Sequence, residues 1–319
     1  MPVGSESEGN TVMINLLGKR YLLFALSLVI IIPGMLVLIT KGLPLSIDFT
    51  GGTLLEVKFQ TQTPQPSEVI AVYNELGVKD VLVQTTSEGT VVARSSFLED
   101  AVRGKILEAL SSRFNQEVTV LKLDSVGPSI GQEVTRSAAI AVAVAALIVV
   151  LYMTFAFRGV DHALRYGICA IIAMIHDVAI IISLGAIGGH YWGWQIDSLY
   201  LTAVLTVIGF SVQDKIVVFD RVRENSRIFR RLDFETLVNH SIVQTLQRSI
   251  NTQLMTVEFM LLALALFGGV TLREFAVILL VGLFSGTYSS IFIAAPILVV
   301  WEKREWQNWF RRRDSQASA

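Results

Sequence analysis

Six long apolar runs constrain this 319-residue chain more than any other feature of its sequence. A helix needs about 20 apolar residues, at roughly 1.5 Å each, to cross the hydrocarbon core of a bilayer. The six runs have about that length, although the first half of the fifth is polar: residues 21–39, 138–157, 163–188, 199–219, 241–267 and 275–301. The pattern predicts a polytopic α-helical membrane protein with six transmembrane helices.

The composition supports the same class. Hydrophobic residues make up 52% of the chain and charged residues only 17%, which is too apolar for an ordinary soluble protein. The formal net charge of -1 gives no indication of nucleic-acid binding. The one cysteine, Cys169, lies in an apolar run, which excludes a disulfide framework and a thiolate metal site.

Residues 1–18 are predicted to form a disordered cytoplasmic tail, since the first ten are small and polar. The first transmembrane helix then covers residues 19–40. Its apolar part is longer than the roughly 7 to 15 residues of a signal peptide, and no small-x-small cleavage site follows it. We therefore expect a first helix that is not cleaved.

Residues 45–126 have the composition of a water-soluble domain. Leu55, Val57 and Phe59 alternate with charged residues, as in a half-buried strand. Ser67 is predicted to cap a helix that stops at Gly77. A hairpin is predicted over 78–95, an amphipathic helix over 98–114 and a last strand over 118–123. The order βαββαβ is that of a small ferredoxin-like α+β domain.

Basic residues orient the predicted helices. If successive helices alternate in direction, the basic loops all fall on one side, and the short loops on the other side contain only Arg273. The positive-inside rule then places both termini in the cytoplasm and residues 45–126 on the far side of the membrane. The other five helices form a transmembrane domain over 134–302, and residues 303–319 form a basic cytoplasmic tail.

Asp214 lies inside the fourth apolar run, where an ionisable side chain costs about 2.5 to 3.5 kcal/mol at the membrane centre. Burial favours its neutral acid and a nearby cation favours its carboxylate, so a balanced group can take up and release a proton. Arg248 is predicted at a comparable depth on the fifth helix, with Thr252 one turn further on the same face. These three residues are a candidate proton relay. The alternative is a static ion pair that fixes helix packing.

His176 and Asp177 form a second candidate within the third apolar run. A histidine can titrate near neutral pH, which makes a secondary relay conceivable. Adjacent helical residues project about 100° apart, so the two side chains cannot both face one partner. An equally good alternative is that they satisfy buried polar contacts between helices.

Five motifs occur along the chain in an order that is specific as a set: IDFTGGT, VGPSIGQE, the His176–Asp177 pair, VIGFSVQDKIVVFDRVREN and TLQRSINT. Together they resemble the SecF family, the smaller subunit of the SecD/SecF protein-export complex in the resistance-nodulation-division superfamily. The resemblance marks Asp48, Gly51 and Gly52 as a signature segment. It also points to Asp214, Arg248 and Thr252 as the proton site.

The resemblance implies a subunit that is not an enzyme and that uses protons as its coupling ion, with no other cofactor and no metal. Its implied partners are SecD, the SecYEG channel, YajC and the translocating preprotein, in the bacterial inner membrane. Proton passage near helices 4 and 5 would be coupled to movement of the extracytoplasmic domain. Two alternatives remain open: a scaffold of the Sec complex without proton flux, and a small-molecule exporter of the same superfamily. The sequence contains no GxxxxGK[ST] or HExxH motif.

Two residues depart from the family pattern. Lys215 stands where a small hydroxylated residue is expected, and Glu258 stands where an apolar residue is usual. Lys215 is expected to point away from Asp214 and to extend its amine towards the cytoplasm. The alternative is that Lys215 pairs with Glu258, although Glu258 is predicted about 10 Å deeper in the bilayer than Arg248.

Overall fold

The computed structural model describes residues 15–85, 89–158, 163–252, 259–267, 270–305 and 307. The backbone forms two compact units. One unit contains the described residues of 43–144 and 193–201, and the other contains those of 1–42, 145–192 and 202–319.

α-Helices account for most of the described residues. In chain order they are α1 (Arg20–Lys41), α2 (Ile47–Thr50), α3 (Pro66–Glu75), α4 (Asp100–Phe114), α5 (Pro128–Ala156), α6 (Ala163–Tyr191), α7 (Ser198–Ile228), α8 (Phe234–Ile250), α9 (Phe259–Phe267), α10 (Val270–Ser289) and α11 (Ala295–Glu302). A π-helical turn, Ser290–Ala294, joins α10 to α11. The strands are β1 (Gly52–Phe59), β2 (Val81–Thr85), β3 (Thr90–Ser95) and β4 (Val118–Val126).

Five helical stretches of the described chain are long and apolar enough to cross a membrane: Leu17–Lys41, Pro128–Ala156, Leu164–Tyr191, Ser198–Ile228 and Leu272–Glu302. They correspond to the first four predicted spans and to the sixth. The predicted fifth span, 241–267, includes residues 253–258, which lie outside the described residues. Its described parts are the end of α8 and the whole of α9.

The first unit contains a four-stranded antiparallel sheet with strand order β2-β3-β1-β4. Elements β1, α3, β2, β3, α4 and β4 follow one another as the sequence predicted. Alternation on β1 sends Leu55, Val57 and Phe59 into one core with residues of α3 and α4. This core is independent of the long apolar helices.

The predicted cap of α3 was wrong by two residues. Gln65 occupies the N-cap position, and its backbone N–H donates to the Glu68 carboxylate at 2.9 Å, while Ser67 lies inside the first turn. Pro66 fits at the first helical position because the backbone there needs no N–H donor. The predicted stop is confirmed, since Gly77 follows the helix with φ +85°.

In the second unit, α1 packs closely against α6 at Gly34. A Cβ atom added to Gly34 would lie 2.2 Å from the Ser183 Cβ and 2.5 Å from its Cα. Ser27, two turns earlier, is also buried and donates its hydroxyl proton to Tyr288 at 3.3 Å. Two small residues seven positions apart thus allow α1 to pack against its neighbours.

We predict that Gly34→Ala destabilises the helical unit by about 1 to 3 kcal/mol, because the added methyl group must displace the α6 backbone. Thermal unfolding of the purified full chain in detergent measures the change. Gly209→Ala on α7 is the matched control, since a Cβ there meets nothing within 4 Å. Equal effects of the two substitutions would contradict the prediction.

Tyr73 leads to a second prediction, for the soluble core. Its ring is 1% exposed, its hydroxyl has no hydrogen-bond partner among the described residues, and burial raises the pKa of Tyr73 above its usual value. Tyr73→Phe should leave the free energy of unfolding unchanged or raise it by about 1 kcal/mol. The folded-state pKa is raised, so the contribution of the protonated Tyr73 hydroxyl to stability is fully present below about pH 10. It is lost as the pH rises further, because the unfolded chain then ionises and the folded chain does not.

The Tyr73→Phe variant should therefore lose less stability than the wild type between about pH 9 and pH 11. Chemical denaturation of the full chain at several pH values provides the comparison. Parallel losses in the two proteins would exclude a contribution from this hydroxyl.

Candidate functional site

A buried polar cluster lies between the long helices of the second unit. Helix α6 contributes Asp177, α7 contributes Asp214 and Lys215, and serines of α7, α8, α10 and the π-helical turn surround them: Ser211, Ser249, Ser285, Ser289 and Ser290. Residues four apart on a helix share a face, which aligns Ser211 with Lys215 and Ser285 with Ser289. All eight side chains are buried. Buried polar groups of this kind require partners, and the cluster supplies them.

Asp177 and Lys215 form an ion pair at the centre of the cluster. The Lys215 Nζ lies 2.8 Å from the Asp177 Oδ2, and the two residues are 0% and 1% exposed. The ammonium also donates to the Ser289 Oγ at 2.9 Å and to the Ser211 Oγ. Its three N–H donors therefore all have oxygen acceptors.

The Asp177 carboxylate accepts hydrogen bonds at both oxygens. Ser211 and Ser289 donate to Oδ2 at 2.6 and 2.7 Å, in addition to the Lys215 ammonium, and Ser285 donates to Oδ1 at 2.8 Å. The His176 Nδ1 lies 3.1 Å from Oδ1. The carboxylate is thus joined to α7 and α10 as well as to its own helix.

Asp214 has different surroundings. It is 8% exposed, and its two oxygens accept hydrogen bonds from the hydroxyls of Ser249 at 2.7 Å and Ser290 at 2.8 Å. The ion pairs within the described residues include none that involves Asp214. Its carboxyl group is held by neutral donors, which can accompany either its charged or its protonated form.

Arg248 and Thr252 do not contact Asp214 in this structure. Both are exposed, and on α8 the hydrogen bond to Asp214 comes from Ser249, the residue after Arg248. Arg248 faces an open crevice of about 340 Å³, lined also by Asp220, Arg221, Glu224 and Gln244. The helix is rotated so that its serine, and not its arginine, reaches the carboxylate.

Lys215 points away from Asp214, as expected, but the expectation that its amine extends towards the cytoplasm was wrong. The side chain is fully buried and bonded to Asp177 on the neighbouring helix. A carboxylate at hydrogen-bond distance removes the need to reach water. Glu258, the alternative partner, lies outside the described residues.

His176 extends the cluster on its outer side. Its ring stacks on Tyr288, with centroids 6.1 Å apart and planes at 26°, and its Nε2 is buried without a hydrogen-bond partner among the described residues. Asp177 links three helices through its oxygens, as the packing alternative for the His176–Asp177 pair expected. Whether the pair also relays protons stays a prediction.

The signature residues Asp48, Gly51 and Gly52 belong to the other unit. The Asp48 Oδ2 accepts hydrogen bonds from the backbone N–H of Ser198 at 3.0 Å and from its hydroxyl at 2.5 Å. Gly51 and Gly52 have φ +72° and +141°, and a Cβ on Gly51 would lie 2.8 Å from the Pro128 Cα. The two glycines form the bend between α2 and β1, where glycine is required by both conformation and space.

Comparison with known proteins agrees with the arrangement. The family model of the C-terminal part of the protein export membrane proteins SecD/SecF matches residues 106–304, and the SecD/SecF GG motif matches residues 36–63. The curated protein translocase subunit SecF of Anaerolinea thermophila is 67% identical over 308 residues, covering 96% of this chain and 100% of that protein. The chain belongs to the SecD/SecF family, as a SecF subunit.

Two further relatives define the extent of the match. SecF of Thermobaculum terrenum is 45% identical, over 96% of this chain and 100% of its own length. The crystal structure of SecDF from Thermus thermophilus, described as a translocon-associated membrane protein, has a TM-score of 0.80 and 33% identity. It covers 91% of this chain, which spans only 39% of that longer protein.

The five serines of the cluster were not identified from the sequence. The sequence did contain a signal for two of them. Ser285 and Ser289 lie four residues apart in an apolar run, and the helix face they share is the one that bonds Asp177. Serine is common in helices and often bonds its own backbone, so spacing alone did not distinguish a carboxylate partner. In this SecD/SecF member the serines decide how each acid is held.

We predict that Lys215→Met destabilises the full chain by about 3 to 5 kcal/mol, because it leaves the Asp177 carboxylate buried without its cation. The double variant Asp177→Asn with Lys215→Met removes both charges and should recover most of that loss. Thermal unfolding in detergent measures both.

Lys303→Met is the control for loss of a lysine, since Lys303 pairs with Asp233 and Glu235 at a partly exposed position. It should change stability by no more than about 1 kcal/mol. A double variant as unstable as Lys215→Met would show that charge balance is not the cause.

Proposed function

We propose that this protein is the SecF subunit of a complex driven by the proton-motive force that assists Sec-dependent protein translocation. Asp214 is the residue that takes up and releases protons. The proposal rests on the surroundings of the Asp214 carboxyl group. It extends from α7, is buried against α8 and the π-helical turn, and is bonded by two serine hydroxyls. A buried carboxyl group without a bonded cation is suited to changing its protonation.

The crevice beside α7 and α8 supports access of protons from one side. The crevice is lined by Arg248 and by Ile216 and Val217, the two residues that follow Lys215 in the sequence. Charged and amide groups along the crevice can hold water. Arg248, which lines the crevice, and Thr252, one turn further along the chain, are proposed to assist the proton exchange of Asp214.

Six transmembrane helices and a ferredoxin-like domain complete the proposal. The five described helices that can cross a membrane and the fifth span predicted over 241–267 make up the six. The sheet order β2-β3-β1-β4 supports the ferredoxin-like arrangement. Both termini are cytoplasmic, in the bacterial inner membrane. The partners are SecD, the SecYEG channel, YajC and the unfolded preprotein, and no cofactor is used besides the coupling protons.

The available energy limits what one proton can do. One charge crossing a potential of 100 mV releases about 2.3 kcal/mol, whereas moving a two-state element from 1:99 to 99:1 takes about 5.5 kcal/mol. A single proton per cycle would therefore bias the movement of the extracytoplasmic domain without driving it completely.

A scaffold without proton flux is the second candidate. Its support is that the Asp214 hydrogen bonds also join α7 to α8 and to the π-helical turn, as a packing contact would. An exporter of small molecules has no comparable observation in its favour.

Asp214→Asn separates the two candidates. The amide keeps the size of the side chain but cannot ionise, so the acceleration of preprotein export by a proton gradient should be abolished. The measurement is export into proteoliposomes containing SecYEG, SecD and this subunit, with and without the gradient. Recovery of the SecD complex should be unchanged.

Asp100→Asn is the control, because Asp100 is an exposed carboxylate outside the crevice, with a side chain 89% accessible. It should retain acceleration. If Asp214→Asn retained acceleration, the proton role would be rejected; if it only lowered recovery of the complex, the scaffold would be favoured.

A further inference from the structure

The Lys215 ammonium lies in a site made entirely of oxygen atoms. Its neighbours are the Asp177 Oδ2 at 2.8 Å, the Ser289 Oγ at 2.9 Å, the Ser211 Oγ, and the Ser211 carbonyl oxygen at 3.4 Å. They come from three separate helices, and Lys215 is 0% exposed. One carboxylate with hydroxyl and carbonyl oxygens is the ligand set that hard cations prefer.

A lysine ammonium is a compact point charge on a flexible stem, so it can stand in such a site as a bound ion would. The stem enters from α7, and the charge ends between α6 and α10. The positive charge of Lys215 balances the negative charge of Asp177. The site is therefore filled and neutral without any ion from solution.

The two buried acids differ in what they can still bind. Asp177 accepts from four donors, the Lys215 ammonium and the hydroxyls of Ser211, Ser285 and Ser289. They occupy the roughly four lone-pair positions of a carboxylate. Asp214 accepts from two hydroxyls. Only the second carboxyl group has positions left for an incoming proton.

We infer that Lys215 is a tethered cation that occupies a monovalent-cation site at Asp177, and that it determines which acid serves coupling. With the ammonium in place, Asp177 takes neither a proton nor a free ion such as Na⁺ or K⁺. Coupling is thereby restricted to Asp214. The cation site follows from the geometry alone, while this last consequence rests on the proposed function.

Removing the tether should convert the site into one for a free ion. Lys215→Ser leaves space and an additional oxygen beside the Asp177 carboxylate, whereas Lys215→Met removes the charge and fills the space. We expect NaCl or KCl to raise the melting temperature of the Lys215→Ser full chain by about 2 to 4 °C relative to choline chloride at equal concentration. The purified chain in lipid nanodiscs is used, without a proton gradient.

Three controls should be insensitive to the cation: the wild type, Lys215→Met, and Asp177→Asn combined with Lys215→Ser. Direct binding of radioactive Na⁺ should likewise appear in Lys215→Ser alone. Equal melting temperatures of Lys215→Ser in all three salts would overturn the inference, as would a stabilisation by Na⁺ or K⁺ in the wild type. Failure to recover folded Lys215→Ser in any of the salts would also overturn it, because a bound ion should restore the charge balance.

The outcome does not depend on export activity. If Asp214→Asn retained gradient acceleration but Lys215→Ser bound Na⁺, the proposed function would fail and the cation site would stand. If Asp214→Asn abolished gradient acceleration but Lys215→Ser bound no Na⁺, the proton role of Asp214 would stand and the cation site at Asp177 would be rejected.

Discussion

The cost of placing charge inside a bundle of membrane helices is the constraint on which the second unit depends. Lys215 and Asp177 are both almost completely withdrawn from solvent, and neither charge could remain there alone. Their pairing requires α6 and α7 to present these residues to each other at one depth. The serines of α10 then fit around the pair, because each remaining donor or acceptor also needs a partner.

The same constraint has a different result at Asp214, one residue before Lys215. Successive side chains on a helix point about 100° apart, so the two neighbours on α7 face different helices. Lys215 faces the acid on α6, whereas Asp214 meets hydroxyls from α8 and the π-helical turn. One short stretch of α7 therefore holds a charge that is fixed and a carboxyl group that is held only by neutral donors.

The sequence predicted what depends on local pattern. The long apolar runs, the alternation of Leu55, Val57 and Phe59, and the helix stop at Gly77 each follow from residues near one another in the chain. The pairing of Lys215 with Asp177 and of Ser249 with Asp214 could not be predicted in this way. It depends on how far each helix is rotated about its axis, which packing across several helices decides and which a depth estimate along the axis does not contain. Arg248 shows the effect, since a rotation of about 100° exchanges it with Ser249.

Ser289 and Ser290 connect the two acids through one peptide bond. Ser289 closes α10 and donates to Asp177, while Ser290 opens the π-helical turn and donates to Asp214. Adjacent residues on a helix project about 100° apart, so the two neighbouring hydroxyls reach different acids. A displacement of this segment that lengthens the Ser290 contact must also shift Ser289, whose oxygen is shared between Asp177 and Lys215. The contacts at the two acids are therefore not independent, because they share this short segment of α10 and the π-helical turn.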